Sequence, residues 1–144
     1  MATITEVLTR FKSLDVIEQV VKSANDTAID YEEAQREQLM AGKTKTGAKI
    51  RPRYSSKDYA TKKAAMNPLA GLGTPDLRLT GAFQDRLDMQ ASSKVFDIIS
   101  KDEKSLMLED KYPDILGIGT SYKSKYIRTL EPVLISNIKT FLKL

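Results

Sequence analysis

The sequence predicts an α+β fold, in which a long N-terminal helix packs on a small antiparallel sheet and an amphipathic helix ends the chain. Residues 14–40 place apolar side chains at steps of three and four with no interrupting Gly or Pro, which is typical of one long helix. Residues 86–109 fall into short segments separated by polar turns, the spacing of an antiparallel meander. Residues 130–141 again repeat at helical spacing, with Pro132 in the first turn, where proline is tolerated. The 144 residues match one ordinary domain, so we expect a single domain over residues 1–144.

Helical periodicity begins near the N-terminus, where residues 3–11 predict a short helix with an apolar stripe. Ser13 is a candidate N-cap for the long helix Leu14–Met40, and Gly42 is placed to end that helix in a left-handed conformation. The small residues of the long helix favour close packing on the sheet. The stripe that we expect to be buried there consists of Ile17, Val21, Ala24, Ala28 and Tyr31.

Residues 43–76 form a predicted insertion between the long helix and the sheet, made of a basic loop, a short helix and a Gly/Pro arm. Lys43–Arg53 has no usable period and contains Gly and Pro, so we expect a mobile loop that becomes ordered on assembly. Ser55–Asp58 resembles a capping box, and the helix that it starts should end at Met66 because a proline follows at position 68. The arm over residues 67–76 carries two leucines that can pack into the core or against a neighbouring molecule.

The stretch at residues 74–90 predicts a change of conformation in the middle of the chain. Thr74-Pro75-Asp76 has the chemistry of a turn, and the strand-like alternation after it is interrupted at Gly81, which can adopt a positive φ. Strands are expected at residues 86–91, 94–100 and 105–109, and the second should be central because it is apolar on both faces. The motif turn from which the sheet starts consists of Leu79, Thr80, Gly81 and Phe83.

The composition argues against most enzyme classes. Cysteine and histidine are both absent, which removes disulfides, thiolate metal sites, the commonest general base and the commonest transition-metal ligand. The carboxylate pairs lie on polar turns or faces, and no Gly-rich stretch has the context of a phosphate cradle. We therefore expect no enzyme activity, no catalytic residue, no cofactor and no metal. No apolar run approaches the length of a membrane span, and no secretory signal is evident at the N-terminus.

The positive charge is concentrated in one segment. Residues 43–63 contain eight basic residues and one acid, a net charge of +7 within a chain whose net charge is +4, so that the rest of the chain carries −3. Such a segment can contact phosphates or an acidic protein surface, or it can be a solvated loop. No helix-turn-helix, RNP or zinc pattern accompanies it, which argues against sequence-specific reading. The candidate residues that face DNA or a partner are Lys43, Lys45, Lys49, Arg51 and Arg53.

The order of these signals carries a resemblance. A long N-terminal helix and a basic Gly loop precede a Tyr-x-x-x-x-Tyr-x-x-Lys stretch at residues 54–62, and the motif turn and strands follow. This order resembles the phage tail-completion and head–tail joining proteins, also called the virion morphogenesis or neck family. Of that family's Leu-x-x-Thr-Gly-x-Leu-x-x-Ser-Ile motif, Leu77, Thr80 and Gly81 match, Phe83 replaces the second Leu, and Arg86-Leu87 replaces Ser-Ile.

Two further family segments are matched less closely. In the family's Tyr-Ala…Phe-Gly turn, Tyr112 is here followed by Pro113, and Leu116 precedes Gly117. The Pro-Ala-Arg-Pro-Phe segment is echoed at residues 125–128. These departures bear on which layer of the neck the chain would occupy.

The resemblance implies a structural virion protein, assembled in the host cytoplasm, that has no catalytic activity. Its copies would form a homo-oligomeric ring between the portal–adaptor complex and the tail-tube or tail-terminator proteins, with DNA passing through the lumen in non-specific contact and no membrane involved. The alternative from charge alone is a small basic protein that associates with nucleic acid non-specifically. A third interpretation is a chaperone or adaptor for another assembly.

Overall fold

The computed structural model describes residues 2–78 and 81–144. Within these residues the chain combines seven α-helices, one short 3-10 helix and a two-stranded antiparallel sheet, which agrees with the predicted α+β class. The elements in chain order are α1 (Ile4–Ser13), α2 (Val16–Asp26), α3 (Ala28–Met40), α4 (Lys57–Met66), the 3-10 helix (Pro68–Ala70), α5 (Ala82–Asp85), β1 (Leu87–Ala91), β2 (Phe96–Ser100), α6 (Ser105–Lys111) and α7 (Thr120–Leu142).

The prediction of one continuous helix over Leu14–Met40 is wrong, because the helix is broken at Thr27. The Thr27 hydroxyl donates to the carbonyl of Ser23 at 2.8 Å, and the Ser23 hydroxyl donates to the carbonyl of Gln19 at 2.7 Å. Hydroxyl groups that bond back to carbonyls four residues earlier bend helices. Thr27 has φ −109° and ψ 21°, outside the helical range, so α2 and α3 are separate helices.

The N-terminal boundaries also differ in detail from the prediction. Helix α1 exists as predicted, and Thr3 and Glu6 cap it reciprocally. Ser13, the predicted N-cap of the next helix, is instead the last residue of α1. Asp15 performs that role, because its carboxylate accepts from the backbone N–H of Glu18 at 3.2 Å.

The sheet has two strands, β1 and β2, paired in register from Leu87 opposite Ser100 to Ala91 opposite Phe96. The third predicted strand, residues 105–109, is helix α6. Its Leu, Met and Glu residues are strong helix formers, and the Ser105 hydroxyl donates to the Glu109 carboxylate at 3.0 Å, a pair at helical spacing.

The prediction that the second strand is central is consequently wrong. Within the part of the chain that the structure describes, β2 pairs only with β1, and Ile99 is exposed. The outer edge of β1 is covered by helix side chains rather than by a strand. The N–H of Met89 donates to the Glu32 carboxylate at 3.1 Å, and the N–H of Ala91 donates to Asn25 Oδ1 at 3.0 Å. The outer edge of β2 has no strand partner among the described residues.

The C-terminal helix is longer than predicted. Helix α7 begins at Thr120 rather than near Leu130 and continues through Pro132, so that this proline lies inside the helix and not in its first turn. Because proline has no N–H, the carbonyl of Arg128 lacks its usual helical donor. Pro132 is exposed to solvent, where water can satisfy that carbonyl.

The main core lies between the sheet and helices α2, α3 and α7. Ala24 is fully buried and Tyr31 is buried, as predicted, whereas Val21 and Ala28 are half-buried and Ile17 is exposed, contrary to the prediction. Three aromatic rings meet edge to face at centroid distances of 5.1–6.4 Å, an arrangement that stabilises cores beyond burial alone. They belong to Tyr31, Phe96 and Tyr126.

A second core lies under the inserted segment. It is built around Ile50 from the basic loop, Phe83 from the motif turn and Leu39 from the end of α3, together with Tyr112 and Ile115. Two segments that are distant in sequence are therefore anchored in the same place. Among the described residues no helix is both long and apolar enough to cross a lipid bilayer.

Candidate functional site

The predicted basic loop is a compact hairpin docked on the subunit. Helix α3 ends in a Schellman motif, in which the N–H of Gly42 donates to Leu39 and the N–H of Lys43 donates to Gln38, and Gly42 has φ 69° as predicted. Lys43 then forms a β-bridge with Lys49. The fully buried Ile50 fixes the hairpin to the second core, which gives the loop more internal structure than its composition indicates.

The five predicted basic residues are all exposed, but three are already engaged by the chain itself. Lys45 Nζ lies 3.6 Å from Asp114 Oδ1, Lys49 Nζ donates to Ala70 at 3.5 Å, and Arg53 donates to the carbonyl of Leu72 at 2.6 Å. Lys43 and Arg51 have no side-chain partner within the described residues. The hairpin therefore groups the predicted residues on the surface and leaves two of them free to meet a partner.

The motif turn is only partly described, because Leu79 and Thr80 lie outside the described residues. Gly81 has φ 86°, which confirms the predicted left-handed conformation, and its carbonyl accepts from the N–H of Asp85 to start α5. Phe83 is buried against the second core. The structure thus brings the described part of the motif turn, Gly81 and Phe83, to the base of the basic hairpin, because Phe83 and Ile50 share the second core.

A buried polar network around Asp76 fixes the segment that leads into this turn, and it was not predicted from the sequence. The Lys63 ammonium lies 2.8 Å from Asp76 Oδ1, and their side chains are 9% and 3% exposed. Asn67 donates from one amide nitrogen both to Asp76 Oδ2 at 3.0 Å and to the carbonyl of Met40 at 2.7 Å. Lys63 belongs to the basic segment in sequence, but in the structure it is a buried structural cation paired with Asp76.

Asp76 is the hub of this network through its backbone as well. Its carbonyl accepts from the amide of Gln84 at 2.7 Å, and its Oδ1 also accepts from the N–H of Arg78 at 2.9 Å. Tyr54 packs close by, and burial raises the pKa of its hydroxyl well above the ordinary value. The sequence predicts the Pro-Asp turn, but it carries no signal that Lys63 of α4 is the buried cation that pairs with Asp76.

Two buried glutamines of α3 hold the loop that precedes α7. Gln35 donates to the carbonyl of Ile115 at 2.9 Å and accepts from the N–H of Gly117 at 2.7 Å. Gln38 donates to the carbonyl of Gly117 at 2.8 Å and accepts from the N–H of Gly119 at 2.6 Å. Each side-chain amide donates to one backbone carbonyl of the loop and accepts from one backbone N–H, as a neighbouring strand would. Their spacing of three residues was the available signal, since it places both on one helix face.

A groove of about 560 Å³ opens between the basic hairpin, the start of α4, the motif turn and α6. Tyr54 and Tyr59 line one side with their rings edge to face at 4.9 Å, and Phe83 and Leu108 contribute apolar surface. The exposed charged residues of the lining are all cationic: Arg53, Arg78, Lys104 and Lys111. The acid in the lining, Asp102, lies 3.7 Å from the Arg86 guanidinium.

This arrangement suits recognition of an acidic or anionic surface with an apolar part. Within the described residues no cluster of acidic side chains is placed to hold a metal ion. Comparisons with protein-family models, with curated proteins and with solved structures yield no significant match to this chain.

Proposed function

We propose that this chain is a structural protein of a tailed-phage virion: a ring-forming neck or tail-completion subunit that joins the portal–adaptor complex to the tail, with DNA passing through the lumen. The order of motifs along the sequence supports the family, and the surface of the subunit supports assembly. The proposal rests mainly on helix α1. This helix has a complete N-terminal capping box, yet none of its residues is buried in the subunit.

Helix α1 places its apolar stripe in solvent. Ile4, Leu8 and Phe11 are 81%, 55% and 60% exposed, and they fall on one face at steps of four and three. A ten-residue helix is marginal by itself in water, and a contiguous apolar surface of this kind marks an interaction site. Helix α1 therefore supports a role in which another protein chain covers this stripe.

Two further features agree with a subunit that is completed by its neighbours. The outer edge of β2 is unpaired within the described residues, and unpaired edges are templates for association. In the Gly/Pro arm, Leu69 and Leu72 are exposed rather than packed into either core. In a monomer these exposed groups contribute no burial to stability, whereas contact with a neighbouring chain would bury them.

The test is whether the chain belongs to the particle. Quantitative mass spectrometry of purified virions of the encoding phage should detect it in several copies per particle. Disruption of its gene should leave filled heads and tails that do not join, and a copy carrying Leu8→Glu should fail to restore joining. Infectious, normally joined particles that lack the chain would refute the proposal.

The second candidate function is non-specific binding of nucleic acid, which the basic hairpin favours. Lys43 and Arg51 have no described side-chain partner and can reach phosphates. A salt titration of binding to random-sequence DNA separates the two functions. A neck subunit should bind weakly as a monomer, whereas a dedicated nucleic-acid protein should bind tightly at low salt with a steep salt dependence.

A further inference from the structure

We propose that the groove beside α6 receives the exposed face of α3 around Ile29 from a second copy of this chain. The inference rests on the proposed ring-forming function and names the contact between adjacent subunits. The groove combines an apolar lining with a cationic border, so its occupant should present an apolar side chain surrounded by acids.

The α3 face around Ile29 has this character. Ile29 is 76% exposed although it lies in the middle of an ordered helical region. Between Lys22 and Arg36 the sequence contains four acids and no basic residue. Glu33 lies four residues after Ile29 on the same face of α3, Asp30 follows Ile29 directly, and Asp26 lies three residues before it across the break at Thr27. All three acids are exposed.

Within the described part of one subunit the border cations of the groove form no ion pairs, whereas the acids of the α3 face are partly paired. Among the described ion pairs, none involves the four border cations of the groove. Lys111 Nζ lies over the ring of Tyr112, 5.2 Å from its centroid, and Arg53 donates to the carbonyl of Leu72.

Asp30 takes part in no described ion pair. Asp26 pairs with Lys22 at 3.3 Å and Glu33 pairs with Arg36 at 3.2 Å, but the side chains of both acids stay largely exposed. Docking would therefore bring opposite charges together.

The other prominent apolar surface of the subunit fits the groove less well. Helix α1 carries one acid, Glu6, and two bases, Arg10 and Lys12, so the cationic border would repel it. Because the groove and the Ile29 face are different patches, their contact is head-to-tail, and repetition of such a contact generates a ring when the rotation closes.

The test is a reciprocal charge exchange in the full-length chain, with self-association measured by sedimentation velocity at low and high salt. We expect Asp30→Lys/Glu33→Lys and, separately, Lys104→Glu/Lys111→Glu to weaken self-association by more than about tenfold, because each places like charges face to face. Combining all four substitutions in one chain should restore association. Ile29→Ser should weaken it without lowering the thermal midpoint, since the side chain is exposed.

The matched control is Lys57→Glu/Lys62→Glu, the same charge change on exposed α4 residues outside the groove lining. Circular dichroism of each variant establishes that it is folded. If the wild-type chain associates and the groove and α3 variants associate equally well, the contact is overturned while the proposed function stands. An equal loss in the α4 control, or no recovery in the fourfold variant of folded protein, also overturns it.

Two other outcomes would also overturn the contact, and one of them would overturn the proposed function as well. If Lys104→Glu/Lys111→Glu abolishes binding to random DNA and leaves self-association unchanged, the groove takes nucleic acid and the contact is overturned. If the wild-type chain is monomeric at every concentration and is missing from purified particles, the proposed function fails together with the contact.

Discussion

Lys63 and Asp76 form an ion pair of 2.8 Å that is almost fully withdrawn from solvent and joins α4 to the turn before Gly81. The same ammonium donates to the carbonyl of Arg78 at 2.7 Å, so one lysine fixes both the side chain and the backbone of this approach. Since this turn leads to Phe83 and the second core, the ion pair positions the floor of the groove.

Replacing Lys63 with Met should destabilise the fold strongly. The substitution leaves Asp76 buried without its cation, and breaking one partner of a buried pair costs about 3–5 kcal/mol. The measurement is the free energy of unfolding from urea denaturation. Lys62→Met, at the exposed neighbouring position, is the control and should change stability by less than about 0.5 kcal/mol. Equal effects of the two substitutions would show that the pair is not a structural anchor.

Gln38→Ala should destabilise the loop before α7. The substitution leaves the carbonyl of Gly117 and the N–H of Gly119 without their described partner, which costs about 1–3 kcal/mol. Amide hydrogen exchange should show the loss of protection concentrated at residues 115–119. Gln90→Ala on the exposed surface of β1 is the control. Unchanged exchange at Gly119 in the Gln38 variant would contradict the strand-like role of this glutamine.

Substitutions at Gly42 and Gly47 distinguish the loss of stability caused by a steric clash from the loss caused by backbone strain. Both have positive φ, 69° and 86°, so alanine at either position is strained by about 1–2 kcal/mol. A methyl group at Gly42 would also lie 2.6 Å from Cγ2 of Thr74 and 3.2 Å from Cα of Ala70, whereas Gly47 has open space. Thermal unfolding should rank Gly42→Ala clearly below Gly47→Ala. Equal midpoints would mean that the Gly/Pro arm is not packed on the end of α3.

Stability should fall at alkaline pH because burial raises the pKa of three tyrosines, namely Tyr31, Tyr126 and Tyr54. Burial raises the pKa of Tyr31 and of Tyr126 above the ordinary value of 10.0, and the Tyr126 hydroxyl lies 2.9 Å from that of Thr27. A folded-state pKa above the unfolded one gives stability that is present below about pH 10 and is lost as pH rises further. Denaturant unfolding across this range should show the decline, and Tyr126→Phe should reduce it. A flat profile to about pH 12 would contradict the assignment.

The elements that local patterns specify were predicted well. Helix α4, the left-handed Gly42 and Gly81, and the strands β1 and β2 all follow from short-range chemistry that is visible in the sequence, although the cap of α4 is Ser56 rather than Ser55, where the predicted capping box begins. The break at Thr27 was missed because it depends on whether Ser and Thr hydroxyls bond back into a helix, which composition does not decide. Residues 105–109 were misassigned because a short apolar run is compatible with either period.

The candidate site was predicted only as a charge pattern. The five basic residues were predicted because they cluster in sequence, and of them only Arg53 lines the groove. The groove is assembled from the end of the hairpin, the start of α4, residues 81–83 and α6, which are far apart in the chain. Lys63 was grouped with the surface cations because its partner, Asp76, is thirteen residues away on another element. Pairings of this kind arise from tertiary packing, and a single sequence carries no direct signal for them.

The most direct test of the central claim is a cryo-electron microscopy map of the head–tail junction of the intact phage particle. We expect the map to show a ring of copies of this α+β subunit between the portal–adaptor complex and the tail, with the apolar stripe of α1 covered by another chain. A well-resolved junction without this fold, or with Ile4, Leu8 and Phe11 facing solvent in every copy, would contradict it.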